Sequence, residues 1–262
     1  MEKTTDHLGR SLAYRYPPKR IISLCPAITD TMYYLQLDDE IIGRTRFCIH
    51  PKSKVKKIPP VGGTKDLKIE RIHALQPDLI IAEKEENTKE MVEQLEKDYP
   101  VHVFEVTNYE SALRMITDLG ALTNRDNEAA KLLQRIQIQF DSIPQIMNKR
   151  VAYVIWKKPY MVVGKNTYIH SLLEKMGFIN PFTSYEGRYP VITEKDFEQA
   201  ALDYIFLSTE PFPFQDKHKS EFASMLPNTK PMIVAGEMFW YGAKMLEAAP
   251  YFQKHLSTMQ SS

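Results

Sequence analysis

Only two cysteines, Cys25 and Cys48, occur in 262 residues. That is too few for a disulfide framework and leaves at most a single bridge, so the fold must rest on an apolar core rather than on covalent staples. One-sided charge is lacking as well. Thirty-four Lys and Arg against 33 Asp and Glu leave a formal net charge of +1, which removes the basic surface that a nucleic-acid partner requires. No apolar run approaches the roughly 20 residues of a membrane-spanning helix. Met1 to Tyr16, broken by Glu2, Lys3, Asp6, His7 and Arg10, has no continuous apolar core of a secretory signal. The chain as written is therefore expected to be cytoplasmic, or periplasmic or lipid-anchored outside the cell if a leader has been removed.

Contiguous catalytic motifs are missing too. There is no Gly-x-Ser-x-Gly elbow, no His-Glu-x-x-His and no dinucleotide glycine fingerprint. Val61-Gly62-Gly63-Thr64-Lys65 lacks the first glycine and the spacing of a phosphate loop and reads as a turn. Cys48 and His50 alternate around Ile49, which suggests a thiol–imidazole pair, but no second close pair follows to complete a metal site. No intrinsic cofactor and no bound metal are expected.

What is present is an alternation of buried strands and helices, with 43% hydrophobic residues and a mean hydropathy of −0.37. Ile21 to Leu24, Leu79 to Ala82 and Val101 to Val106 read as buried strands in the first half, and Val151 to Trp156, Tyr204 to Leu207 and Met232 to Ala235 in the second. The helix-then-strand marks Glu90, Leu95 and Pro100 recur at Glu221, Leu226 and Pro231, each 131 positions on. Strand and helix returning in the same order predict two related α/β units. Asp126 to Met147, apolar at Ala129, Leu132, Leu133, Ile136, Phe140 and Ile143, predicts one helix linking them, with Pro144 as its flaw. The expected architecture is α/β: two Rossmann-like lobes with parallel sheets, residues 1–123 and 149–262, joined by a single long backbone helix within 124–148.

In open α/β sheets ligands gather beyond the carboxyl ends of the strands. The residues there are Arg46, Phe47 and His50; Lys84 and Glu85; Trp156 and Tyr160; Phe212; and Met238, Trp240 and Tyr241, with Arg188 in the loop before the second repeat helix. Aromatic rings and cations in two lobes suit a flat or bulky ligand with carboxylates, held in a cleft: a corrinoid, a porphyrin or another metal chelate. A different class of function, an enzyme acting on a small molecule in that cleft, would use Cys48, His50 and Glu85.

Arg20-Ile21-Ile22-Ser23-Leu24-Cys25-Pro26-Ala27, Ile42-Gly43-Arg44-Thr45, Val61-Gly62-Gly63 and Leu75-Gln76-Pro77-Asp78-Leu79-Ile80-Ile81-Ala82 together resemble the class III, helical-backbone substrate-binding proteins of ABC importers for cobalamin, haem and iron-siderophore chelates. The resemblance implies a non-catalytic receptor whose ligand carries the metal: a cobalt corrinoid, haem or a ferric siderophore. It also implies an ABC permease partner met by one glutamate on each lobe. Glu70 falls at the first such position; at the second, Lys195 stands where a glutamate is expected, with Glu194 one place away.

Overall fold

The computed structural model describes residues 1–260. It opens with a hairpin that hydropathy does not announce. β1 (Glu2–Thr5) and β2 (Ser11–Tyr14) pair antiparallel. Asp6 builds the turn between them, accepting from the backbone N–H of Leu8 at 3.0 Å and of Arg10 at 2.9 Å and from the Arg10 guanidinium at 2.9 and 2.7 Å. An acidic side chain folding back on nearby N–H groups is ordinary turn chemistry. The same carboxylate accepts from Val103 N at 3.3 Å, which docks the turn on the first sheet.

That sheet contains β3 (Ile21–Ser23), β4 (Ile41–Arg44), β5 (Leu79–Glu83) and β6 (Val101–Phe104), in the order β4-β3-β5-β6 and parallel throughout. Every residue of β3, β5 and β6 is buried, as continuous apolar runs in a doubly covered parallel sheet should be. The crossovers are α1 (Pro26–Tyr34), with proline in its first turn, then α2 (Lys52–Val55), α3 (Ile69–Leu75) and α4 (Lys89–Leu95). The Thr88 hydroxyl caps α4 by accepting from Met91 N at 3.3 Å, satisfying a donor the helix leaves open.

Two helices follow where one was predicted. α5 (Tyr109–Thr123) and α6 (Asp126–Asp141) are separated by a turn in which Asn124 has φ +58°. They approach closely at Gly120, where an added Cβ would lie 2.6 Å from the Ala129 Cβ. The helix read as Asp126 to Met147 stops at Asp141. Ser142 and Ile143 close a tight turn on Gln139 and Phe140, and Pro144, without an N–H and clashing with the preceding turn, cannot extend it.

The second sheet holds β7 (Lys149–Trp156), β8 (Tyr160–Val162), β9 (Phe178–Ile179), β10 (Val191–Ile192), β11 (Tyr204–Ser208) and β12 (Lys230–Val234). Its order is β10-β8-β7-β11-β12, with β9 beside β7. β9, β11 and β12 continue the parallel pattern from β7, but β8 runs antiparallel to both its neighbours, β7 and β10, so this sheet is mixed where a purely parallel one was expected. The reason is local: β7 turns straight back at Lys157-Lys158-Pro159 instead of entering a helix. α7 (Tyr168–Lys175), α8 (Glu194–Gln199), α9 (Asp216–Met225) and α10 (Met245–Gln260) complete the fold. The succession α3-β5-α4-β6 is matched by α8-β11-α9-β12, and the neighbours β3-β5-β6 by β7-β11-β12.

The chain divides into two compact units. The first comprises Met1–Val106, Glu110–Gln137 and Tyr241–Lys244; the second comprises Thr107–Tyr109, Ile138–Trp240 and the chain from Met245. Among the described residues no helix is long and apolar enough to cross a membrane.

Candidate functional site

In the first unit the loops beyond β3, β4 and β5 are tied together by buried polar groups. Asn87 is central. Its side-chain amide donates to Leu24 O at 3.2 Å and Thr64 O at 2.9 Å, and its carbonyl accepts from Glu83 N at 2.9 Å. One buried side chain thus joins the end of β3, the turn after Gly62-Gly63 and the end of β5. The Glu83 carboxylate, 2% exposed, accepts from the backbone N–H of Glu85 (2.8 Å), Glu86 (3.0 Å) and Val106 (3.2 Å). Burial pushes its pKa up to about 7, against the opposing pull of those N–H donors.

On this braced floor Arg46 and Phe47 occupy the turn after β4. The Arg46 guanidinium carbon lies 4.8 Å from the Phe47 ring centroid, and its Nη1 donates to Asp66 Oδ2 at 2.8 Å. Phe47 is 48% exposed, a large apolar face in water. His50, half-buried, ends the same turn. Lys84 reaches Glu105 at 2.6 Å, and Glu85 is half-buried beside it. Tyr241 returns to this unit, its hydroxyl 3.2 Å from Cys25 Sγ; burial raises the pKa of both groups well above the ordinary range. Gly242, at φ +78°, allows the return, because a Cβ there would meet Thr31 Oγ1 at 2.0 Å.

The proposed catalytic thiol is poorly placed for that work. Cys48 is 1% exposed and its sulfur is hydrogen-bonded to the hydroxyls of Thr29 (3.1 Å) and Thr45 (3.2 Å). Burial pushes its pKa up, away from the thiolate that a nucleophile needs. The arrangement of Cys48, His50 and Glu85 as an enzyme site is not supported.

In the second unit Trp156 ends β7, 39% exposed, with its ring 5.8 Å from that of Phe212 in an edge contact. Phe212 leans in turn on Phe214 at 4.6 Å. Lys157 pairs with Glu221. Tyr160 sits in β8 and packs edge-on against Phe197 (5.6 Å) and Phe222 (5.5 Å), so its ring adjoins the core. Met238 is half-buried in the 3₁₀ turn after β12, while its neighbour Phe239 is buried against Tyr153 and Phe252. Trp240 is held by Nε1 donating to Glu210 Oε1 at 2.6 Å. Gly236 makes room for that carboxylate, since a Cβ would lie 2.3 Å from Glu210 Cγ. Arg188, half-buried, lies in the loop whose carbonyl receives Gly164 N at 2.8 Å.

The predicted ligand residues therefore fall into two aromatic and polar groups, one in each unit, beyond or at the carboxyl ends of parallel strands except for Tyr160, in antiparallel β8, and Arg188, in the loop before β10. Glu70 and Glu194 are exposed in the first turns of α3 and α8. Asp66 was not singled out in the sequence, where it is one acid among 33 Asp and Glu; nor was the bracing role of Asn87. The only hint of either was the pair of glycines at 62 and 63. A groove of about 390 Å³ in the first unit is lined by Tyr34, Gln36, Glu128, Lys131, Gln134 and Arg135. It lies at the far end of α1 and contains none of the predicted residues.

Two α/β units that repeat one succession of helix and strand are the architecture of a two-part substrate-binding protein. Residues 21–233 match the periplasmic binding protein family, and the chain belongs to it. The vitamin B12-binding protein of Vibrio campbellii is 26% identical over 197 residues, covering 73% of this chain and 71% of that protein. An uncharacterized ABC transporter substrate-binding lipoprotein of Bacillus subtilis is 27% identical over 181 residues, covering 64% of this chain and 57% of that protein. Among solved structures, the periplasmic vitamin B12 binding protein of Vibrio cholerae aligns with a TM-score of 0.75 at 20% identity, over 94% of this chain and 99% of that one. The periplasmic heme binding protein of the same organism gives 0.76 at 20% identity, over 90% and 98%. The fold is thus that of class III substrate-binding proteins.

Proposed function

We propose that this chain captures a bulky metal chelate, of the cobalamin, haem or iron-siderophore type, as the receptor of an ABC importer. The observation that carries the reading is the placement of exposed aromatic surface: Phe47, in the turn after β4 of the first unit, and Trp156, the last residue of β7 in the second, are 48% and 39% exposed, each at the carboxyl end of a strand. Isolated apolar exposure is common, but large rings clustered with cations at the expected ligand end match a flat, partly anionic ligand. Arg46, His50, Lys84 and Glu85 supply polar contacts from the first unit, and Arg188, Phe212, Met238 and Trp240 join Trp156 from the second, with Tyr160 beneath and Tyr241 in the first unit. The names of the relatives support the ligand class.

For the permease, Glu70 and Glu194 are the proposed contacts, with Lys195 altering the charge of the second. Residues 124–148 are proposed as the link between the α/β units. The compartment is read by fractionating the native cells: release with the periplasmic or membrane-anchored proteins fits the importer role, and retention with the cytoplasmic proteins fits a receptor that holds its ligand inside the cell.

The test is a titration of intrinsic fluorescence with cobalamin, haem and a ferric siderophore, since the only tryptophans are Trp156 and Trp240. Saturable quenching by one of them at micromolar or tighter affinity, weakened at least tenfold (about 1.4 kcal/mol) by Trp240→Ala, is expected. No response to any of the three contradicts the chelate assignment.

A further inference from the structure

We propose that Arg46, stacked on Phe47, reads a carboxylate on the ligand, and that Asp66 occupies its guanidinium until the ligand displaces it. This rests on the binding function proposed above and adds the chemical group recognised and an internal competitor for it.

The backbone that carries the guanidinium is fixed by its loop. Arg46 N donates to Gly62 O at 2.7 Å, Val61 N to Arg44 O at 2.8 Å and Gly63 N to Asp66 O at 3.0 Å, so the two loops that carry the ion pair are laced together. Glycine forms the floor. A Cβ on Gly63 would lie 2.9 Å from the Arg46 guanidinium and 2.1 Å from Asp66 Oδ1, and Gly62 has φ +128°, which residues with side chains rarely adopt. The Phe47 ring backs the guanidinium from one side. A planar cation placed over a ring and beside a glycine floor is prepared to accept a second planar group.

Asp66 is a weak occupant. The two side chains are 52% and 63% exposed, and solvent and salt screen such a pair. A single hydrogen bond, from Nη1 to Oδ2, joins them, where a guanidinium offers a fork of five N–H donors. A ligand carboxylate attached to a flat body would accept two parallel bonds and cover Phe47 at the same time, exchanging an exposed, singly bonded pair for a bidentate, partly desolvated one. A small free anion lacks the apolar body and gains nothing from Phe47. An esterified ligand gains the ring contact but cannot replace Asp66. The pair therefore selects for large ligands with an accessible carboxylate.

The test titrates the full chain and its Asp66→Asn and Arg46→Gln variants with haem, which carries two carboxylates, and with haem dimethyl ester, following the Soret band. The wild type should favour the acid by about tenfold. Asp66→Asn should tighten acid binding severalfold and leave the ester unchanged, and Arg46→Gln should abolish the preference. Equal affinity of the wild type for acid and ester, or no effect of Asp66→Asn on the acid, overturns the inference and leaves the receptor reading intact. Binding of cobalamin or a neutral ferric siderophore without binding of haem also overturns it while sustaining the receptor. Silence toward all of them removes both.

Discussion

Two buried ionisable residues in the first unit make opposite contributions to stability as pH changes. His102 is 2% exposed, and neither ring nitrogen has a partner among the described residues. Burial drives its pKa down to about 4, with Asp6 and Asp118 pulling it back up and His7 and Arg10 opposing protonation. The unfolded chain, with histidine near 6.5, binds the proton more readily, so this residue adds stability at neutral pH that is lost as pH falls from about 6.5 to 4. The full loss is roughly 3 kcal/mol, and His102→Phe should remove it, which denaturant melts at pH 7, 5.5 and 4 would measure. Glu83 runs the other way. Its raised pKa, about 7, means the folded state holds the proton more tightly, and its contribution falls as pH rises from about 4.5 to 7.

At Asn87 the consequence is structural first and functional second. Replacement by alanine leaves Glu83 N, Leu24 O and Thr64 O without the partners they now have. An orphaned buried polar group costs about 1–3 kcal/mol, so Asn87→Ala should lower stability by at least about 2 kcal/mol and weaken ligand binding together. Unchanged affinity in a folded variant would show that the three loops do not need this brace to bind.

Among elements, those made by apolar runs were legible and those made by local polar chemistry or close packing were not. Ile21 to Leu24, Leu79 to Ala82 and Tyr204 to Leu207 announce buried strands because both faces are covered, and all three are strands. β1 and β2 depend on Asp6 and its neighbours, for which hydropathy has no signal. α5 was legible in principle: Ala112, Met115, Ile116, Leu119 and Leu122 are all buried at helical spacing. Its partnership with α6 depends on Gly120, whose meaning appears only when the second helix is beside it. Alanine at 120 would gain about 1 kcal/mol of helix propensity, but a Cβ 2.6 Å from Ala129 forces overpacking that costs typically 1–3 kcal/mol. The clash should win, and Gly120→Ala should melt at a lower temperature than the wild type; a higher melting temperature would mean the helices can separate freely.

At the scale of the whole molecule the repeat was the most informative reading. The 131-residue offset of Glu90, Leu95 and Pro100 foreshadowed the match of α4-β6 with α9-β12, because a repeated fold repeats its breakpoints. The strand ends pointed to Arg46, Phe47 and Trp156, and the structure places the first two in the turn after β4 and the third at the end of β7, because topology alone sends that end of each strand to one edge of its sheet. It could not foresee that Phe239 would turn into the core while Trp240 hung on Glu210, or that Cys48 would be sealed under Thr29 and Thr45. Those outcomes depend on partners distant in the chain. The sealed thiol removes Cys48 as a nucleophile, and the family match makes the chain a binding protein.

The most direct measurement is native mass spectrometry of the full chain after incubation with haem, cobalamin and a ferric siderophore, followed by release and analysis of the bound molecule. A saturable complex with one of them, from which the chelate is recovered chemically unchanged, is the predicted result. Recovery of a modified product formed in proportion to time and protein would contradict it and make the chain an enzyme.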